Sequence, residues 1–487
     1  MTQENFQETL DDTKIDLSVA IPTSVKLLLR NFQKLGLSSY LVGGCVRDAL
    51  LGLEPKDIDV EVYGVSYDEL EFFLSKFGTT DLVGKSFGVI KFTDQDGNTC
   101  DFSIPRRDSK AGEGHRGFEI EVDGTISEQE AASRRDFTIN ALMYDPLSKT
   151  LLDFFGGRTD LEARNLKATS GAFADDPLRI LRGMQFAARF DMIADAVTAM
   201  AGYKCFSGYE SLAKERVCEE WMKLMTKGVK PSKALDFLHD TGWIQHFPEL
   251  EGIEDVKQDM EWHPEGGVFE HTGHVLDAMV EIVDRKGIVG DERAVLMFSA
   301  LGHDFGKAVK TEFREKNGKM RWTAHGHEAA SGPLMRSFLE RVGVKADIIA
   351  QCVPLVENHM AHVNFENETV APRVVRRLAE RLAPANIQQL AMLVEADVSG
   401  RPPLEKHVPF SVMRMIQLSY MQNVALKPQP PLVQGRHVMP LFGNVAGRHI
   451  GVVTKAAYDA QLEGEFSKEP EALEWIERYV AEMEIEV

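Results

Sequence analysis

The sequence predicts an α+β multidomain chain, with a mixed α/β head up to about residue 165 and a long all-α body after it. Three observations carry this. The chain has 487 residues, room for about three domains of ordinary size. Up to residue 165 alternating apolar runs interleave with short helical patterns, whereas from Asp176 onward strand signals nearly vanish and apolar residues recur at helical spacing. At 44% hydrophobic and 27% charged residues, the composition is that of a globular chain with ample core.

In the head, SSYLVGG (38–44) reads as a strand running into a Gly-Gly turn, and VRDALLG (46–52) as a short amphipathic helix. DIDVEVYG (57–64) is an alternating strand, and FGVIKF with TCDFSIP forms a hairpin around Asp96-Gly97. In the body, LRILRGMQFAARF (178–190), ALDFLHDTGW (234–243), HVLDAMVEIV (274–283) and VVRRLAERLA (374–383) are helical, and Pro-rich KPQPPLVQGRH (427–437) marks a boundary before a small C-terminal unit.

The formal charge of −20 argues against a chain that coats itself in nucleic acid or lies on an anionic membrane, though not against a local basic groove. That charge is divided. Residues 1–165 carry −11, residues 371–450 carry +6 and residues 455–487 carry −7, which makes 371–450 the candidate basic surface. The polar, acidic MTQENFQETLDDTK does not read as a signal peptide, and no uncharged stretch reaches the roughly 18 residues of a membrane span. Five scattered cysteines without a CxxC pair fit reduced thiols in a cytoplasm.

Asp57 and Asp59 bracket Ile58, so on a strand both carboxylates point the same way while Ile58 points into the core. Two acids held that close repel unless a cation such as Mg²⁺ lies between them; otherwise they form a solvated acidic edge. Ahead of them, Gly43-Gly44 offers bare backbone N–H groups for a phosphate, with Arg47 and Lys56 as cations nearby. Asp176 and Arg179, three residues apart at a helix start, share one face; Asp175-Asp176-Pro177 also suits a plain helix cap. Between 261 and 401, EWHPEGGVFEHTGHV, LGHDFGK, HGHE, ENHM and EADVSGR set histidines and carboxylates in an ordered series, a donor set for a divalent transition metal.

LVGGCVRDALLG with DIDVEVYG resembles the signature of the class II tRNA nucleotidyltransferase and bacterial poly(A) polymerase family, within the polymerase-β-like superfamily. RRDFTINALMYD (134–145), GGRTDLEARNL (156–166) and ADDPLRILRGMQFAARF (174–190) are similar to its later motifs, although the family's Glu-Asp is here Asp175-Asp176. SLAKERVCEEW (211–221) resembles its neck helix, in which Glu215, Arg216 and Glu219 would be structural. The resemblance implies Mg²⁺ on Asp57 and Asp59 with Asp101 as a third carboxylate, and two-metal transfer of CTP and ATP to a tRNA 3′ end. Gly44, Arg47, Arg134, Arg135, Asp136, Asp176, Arg179 and Arg182 would bind the nucleotide, with Asp176 and Arg179 reading the base edge in place of a template.

The histidine series looks like an HD-type phosphohydrolase domain. That implies metal ligands His271, His303, Asp304 and Asp397, with Lys307, His327 and His359 close by and Mn, Co, Ni or Zn as the ion; His263 and His274 have no counterpart and read as surface or core histidines. The domains expected are a catalytic head at 1–165, a helical neck with the nucleobase-template region at 166–255, an HD domain at 256–425 and a tail at 426–487. The function expected is CCA addition or repair by a cytoplasmic enzyme, with hydrolysis of 2′,3′-cyclic or 2′-phosphates at RNA ends. The alternatives are a poly(A) polymerase, an enzyme adding only A or only CC, and an HD phosphohydrolase or RNA-binding regulator with an inactive head. VGKSFGVIKF (83–92) lacks the Arg-Arg and His of the poly(A) polymerases, and PRRDSKAGEGHRGFEIE (105–121) resembles the flexible loop that CC-adding relatives lack.

Overall fold

The structure, a computed structural model, describes residues 14–84, 88–110, 118–367 and 369–485. The centre of the flexible-loop segment, 111–117, and residues 85–87 of the segment that separates poly(A) polymerases lie outside them. The chain divides into two compact units, Met1–Phe247 and Pro248–Val487.

The first unit is built on a mixed sheet. Its strands are β1 (Ser38–Val42), β2 (Asp59–Tyr63), β3 (Gly78–Gly84), β4 (Val89–Asp94), β5 (Thr99–Ser103), β8 (Met143–Asp145) and β9 (Thr150–Leu152), while β6 (Arg106–Lys110) and β7 (Phe118–Val122) form a separate hairpin. The sheet order is β3-β4-β5-β2-β1-β8-β9, with β2 and β5 parallel and the other neighbours antiparallel. The expected β4–β5 hairpin forms, Gly97 taking a positive φ of 84° and Asp94 accepting the Asp96 and Asn98 backbone N–H groups.

The strand expected at 57–64 starts two residues later, at Asp59, and does not alternate in burial. Val60 and Val62 pack with Phe32, Phe92 and Phe102, whereas Tyr63 packs with Val42, Ala131, Ala132 and Met143 on the other side. Both faces of β2 are covered, so burial cannot alternate. Below the sheet, the helix Leu178–Phe190 packs on Lys214–Lys227 and Ser232–Asp240, burying Met184, Trp221 and Phe237.

The second unit is helical around Val268–Lys286, Gly290–Gly302, Ala346–Glu357 and Ile387–Ser399. One departure from the all-α expectation is an antiparallel hairpin, Glu312–Lys316 with Lys319–Thr323. Its turn is Asn317-Gly318, both at positive φ (55° and 75°), the sequence signal of a two-residue hairpin. A separate apolar cluster, including Val433, Val453, Ala457, Ile476 and Val480, gathers the last helices.

The basic stretch 371–450 is less of an open surface than its +6 charge implies. Arg373 and Arg377 pair with Glu463 and Asp459 of the acidic end, Lys406 pairs with Glu281, and Arg376 donates to Leu462 O and Gln422. The two opposite charge blocks of the sequence therefore meet within the unit at Arg373 and Arg377. Among the described residues, no helix is long and apolar enough to cross a membrane.

Candidate functional site

In the first unit, the parallel pairing of β2 with β5 sets Asp59 opposite Asp101, with Asp57 in the bend before β2. Asp57 is thus off the strand, exposed, while Ile58 is buried and Asp59 half-buried. Burial, and next the Asp101 charge, push the Asp59 carboxyl up to about 6; Asp57 and Glu61 add to this and Arg135 opposes it. Burial raises Asp101 as well. This is a carboxylate cluster short of positive charge, which fits a divalent cation.

Asp59 opens into a cavity of about 480 Å³ that also holds eight arginines and Lys223 against only two further aspartates, Asp136 and Asp176. Asp57 and Asp101 flank it without lining it. Gly43 and Gly44 form one edge: Gly43 has φ 71°, and a Cβ there would stand 3.1 Å from Arg135 Nη1, so both its backbone and the close arginine demand glycine. Arg134 and Arg135 are drawn in by Glu61, buried at 1% exposure, at 3.4 and 3.5 Å, and Tyr63 donates to the same carboxylate at 2.7 Å.

Asp136 is turned inward. It accepts from Arg182 Nε (2.7 Å), Asn140 Nδ2 (2.9 Å) and the Phe137 N–H (2.8 Å), and Asn140 Oδ1 in turn accepts from Arg47 (2.6 Å). One buried chain of hydrogen bonds thereby fixes two cavity arginines. Arg47 also lies over the Phe190 and Phe186 rings at 4.4 and 5.3 Å.

The helix bearing Arg179 begins at Leu178, and Asp176 stands ahead of it in extended conformation, accepting the Leu178 N–H at 3.1 Å. Arg179 donates to the carbonyls of Ala172 (2.9 Å) and Arg134 (2.7 Å). Both side chains line the cavity, so the capping reading and the site reading hold together.

The cavity contains residues that the motif reading passed over: Arg106, Asn140, Arg189, Lys223 and Arg216, the last expected to be structural. Glu61 was legible, since it continues the face of Asp57 and Asp59 at i+4 and i+2. Arg189 follows Arg182 by seven residues on the helix Leu178–Phe190, and Arg216 and Lys223 are seven apart on Lys214–Lys227, so each pair shares a helix face; Arg106 and Asn140 come from other elements.

In the second unit, four buried imidazoles point inward in the same way. Nδ1 of His303, His327 and His359 lies 2.7–2.8 Å from the carbonyls of Ala300, Ala324 and Val356, and Nδ1 of His271 lies 2.8 Å from Glu265 Oε1 and 3.2 Å from Gly400 O. With the proton on Nδ1, each Nε2 lone pair faces the interior. There His271 Nε2 meets Asp397 Oδ1 at 3.1 Å, His327 Nε2 meets His359 Nε2 at 3.1 Å, and His303 Nε2 lies 3.3 Å from Asp304 Oδ2 without hydrogen-bond geometry. Such a convergence of imidazole nitrogens and carboxylate oxygens fits a metal ion; without one, a second proton on His271 or His327, where burial lowers the ring's pKa but neighbouring carboxylates raise it further, would join the same pairs.

Asp304 divides the cluster. Its Oδ2 faces His271 and His303 (3.8 and 3.3 Å), and its Oδ1 faces His327 and His359 (3.1 and 3.9 Å), giving two metal-capable trios that share one carboxylate. Burial raises the Asp304 carboxyl, but Lys307 and His303 outweigh it and hold it well below the usual range. Burial beside His303 and His327 drops His359 to about 3, so it stays neutral as a ligand must.

Lys307 belongs to the centre. It is buried, 2.6 Å from Asp304 Oδ2 and 2.6 Å from Gln258 Oε1. His263 is no bystander. Its Nδ1 lies 2.9 Å from Glu265, whose other neighbour is His271, and hydrogen bonds from both rings overcome burial to hold Glu265 at about 2.

A Poly A polymerase head domain model matches residues 39–167. The multifunctional CCA protein of Xanthomonas campestris pv. campestris (strain B100) is 34% identical over 372 residues, covering 74% of this chain and 85% of that one. The multifunctional CCA protein of Pasteurella multocida (strain Pm70) is 31% identical over 407 residues, covering 81% and 91%. In fold, the chain is similar to the Bacillus stearothermophilus CCA-adding enzyme in complex with CTP (TM-score 0.63, 18% identity, 96% of this chain and 100% of that one). It is also similar to the Thermotoga maritima CCA-adding enzyme complexed with tRNA (TM-score 0.56, 19% identity, 94% and 96%). A polymerase-type head with its carboxylates beside an arginine-lined cavity, and relatives above 30% identity over most of their length, place this chain in the family of multifunctional CCA proteins, the class II CCA-adding nucleotidyltransferases.

Proposed function

We propose that the head adds or repairs the 3′-terminal CCA of tRNA from CTP and ATP without a nucleic-acid template, and that the second unit hydrolyses 2′,3′-cyclic or 2′-phosphates at RNA ends. The observation that carries the first half is a strongly basic cavity, closed at one edge by Asp59, in a chain whose net charge is −20. Asp57 and Asp59, with Asp101 beside them, would hold Mg²⁺, which when bound favours loss of the 3′-hydroxyl proton and offsets the charge of the leaving pyrophosphate.

Arg134 and Arg135 grip the triphosphate, pre-aimed by Glu61, and Asp136 acts on it through Arg182. Glu61→Gln should therefore raise KM for CTP and ATP together by about tenfold with kcat within about threefold, because it loosens phosphate donors common to both. Initial-rate kinetics with each triphosphate checks this.

Asp176 accepts the exocyclic amine that cytosine and adenine share, while Arg179 donates to the adjacent ring nitrogen. Uracil and guanine would set a carbonyl against the carboxylate. Arg179→Ala should raise UTP and GTP incorporation relative to CTP and ATP by about tenfold or more. Unchanged preference would end this reading.

His271, His303, Asp304 and Asp397 would hold a divalent transition-metal ion (Mn, Co, Ni or Zn), with His327 and His359 on the second oxygen of Asp304. Such an ion supplies, when bound, a nucleophile from water near neutral pH. The water oxygen joins phosphorus, one ester P–O bond opens, and the freed ribose oxygen takes a proton. Five free thiols and a tRNA substrate support a cytoplasmic location.

The deciding experiment is incubation with tRNA lacking its CCA and each NTP, read at single-nucleotide resolution. Three added residues and a stop support CCA addition; one A or a long A tail would replace it with the A-adding or poly(A) reading. RNA ending in a 2′,3′-cyclic phosphate tests the second site separately.

A further inference from the structure

Asp304, His327, His359 and Asp397 of the histidine-aspartate centre line a cavity of about 400 Å³, within the size range of small-ligand sites, and part of its wall lies outside the helical fold. Part of that wall is the hairpin Glu312–Thr323, which contributes Lys316 and Trp322; part is the segment 257–263, which contributes Trp262. The first hairpin strand is exposed throughout, and Phe313 (52%), Met320 (54%) and Trp262 (60%) stand in solvent. Large apolar side chains on a projecting hairpin call for an occupant.

The two pieces are fastened to each other. Arg321, on the hairpin, reaches Glu261 at 2.5 Å and Asp259 at 3.5 Å, so the segment carrying Trp262 and the strand carrying Trp322 share an ion-pair clasp. Phe313 backs Trp322 from the partner strand, with ring centroids 4.8 Å apart. Trp322, Trp262 and Lys316 thus line the same cavity as Asp304, His327, His359 and Asp397, with Lys307 within the centre.

We infer that Trp322, with Trp262, is the platform on which the base of a nucleoside phosphate stacks while its phosphate lies at the Asp304 centre. The inference rests on the phosphohydrolase reading and deepens it. The site takes a base-bearing phosphoester, and aromatic stacking without a hydrogen-bonding edge makes it tolerant of which base. The same chemistry is offered by a free mononucleotide and by the last nucleotide of an RNA.

The test measures kcat/KM of the full chain with Mn²⁺ on three substrates: adenosine 2′,3′-cyclic phosphate, a short RNA ending in the same group, and 1-methylribose 2′,3′-cyclic phosphate, which has no base. Wild type should prefer the base-bearing substrates, and Trp322→Ala should lose about tenfold on them, mainly in KM, with a much smaller loss on the base-free one. Trp322→Phe should recover most of it, and Trp262→Ala should act in the same direction. The arm that loses more, free nucleotide or RNA end, identifies the natural source. Equal losses on all three substrates would make the hairpin structural and overturn the platform, as would a wild type indifferent to the base. Calorimetric titration with adenosine 2′-phosphate and ribose 2-phosphate gives a readout independent of turnover. Base-dependent, Trp322-dependent binding without hydrolysis would sink the phosphohydrolase reading while sustaining the platform; equal affinities for the two ligands would sink the platform alone.

Discussion

Asp59→Asn should lower nucleotide addition by about a thousandfold or more in kcat while hydrolysis of a 2′,3′-cyclic phosphate continues at the wild-type rate. The substitution keeps shape and removes one charge. At this position the charge matters because Asp59 is the carboxylate that both lines the cavity and faces Asp101 across the parallel β2–β5 pairing. Its carboxyl is pushed up to about 6 by burial and by Asp101, so the fold works against this charge unless a cation is held there. An interaction that counts only when charge develops on the reacting oxygens is lost from kcat rather than from KM. CTP and ATP should still bind through the arginines, with KM within about threefold. Single-turnover addition to tRNA lacking CCA, with cyclic-phosphate hydrolysis measured on the same sample, checks both halves. Loss of both activities would mean that the protein has not folded, or that the two reactions do not belong to separate units.

How much of this was legible follows from whether the signal is local. Asp57 and Asp59, Asp176 and Arg179, and the pair His303-Asp304 are close in sequence; Asp176 and Arg179 both line the head cavity, while of the other two sets Asp59 and Asp304 reach a cavity wall and Asp57 and His303 do not. The hairpin at 312–323 carried a plain Asn317-Gly318 turn signal, but its exposed strands lack apolar alternation, so a pattern tuned to burial passes over it. Net charge at 371–450 says nothing of pairing, since Arg373 and Arg377 find Glu463 and Asp459 more than 80 residues away. The supporting residues were the least legible. Asn140, which ties Asp136 to Arg47, and Glu265, which ties His263 to His271, lie within quoted motifs without being singled out there; only the folded backbone shows what they hold.

Asp304→Asn should strip the second unit of its metal, end phosphohydrolysis and leave CCA addition intact. The loss should reach both sides of the centre, because the two trios that meet at Asp304 share this one carboxylate, Oδ2 with His271 and His303 and Oδ1 with His327 and His359, while the neighbouring trio of His263, Glu265 and His271 does not use it. An amide offers one neutral oxygen where the carboxylate turns an oxygen to each side and shares a single negative charge between them, whereas substituting His359 alone should empty only the side it faces. The variant should also be less stable, by about 3–5 kcal/mol in the second unit, since Lys307 would be left buried without its partner 2.6 Å away. That cost can be separated from the metal. Asp304→Asn with Lys307→Met removes both charges and should recover most of the lost stability without recovering metal or hydrolysis. Metal content by mass spectrometry, thermal unfolding with and without Mn²⁺, and the two activities measured side by side make the check. If Asp304→Asn keeps its full metal complement, Asp304 is not the shared ligand and the centre must be rebuilt around His271 and Asp397. If the double variant stays as unstable as the single one, the lysine is not what the carboxylate neutralises.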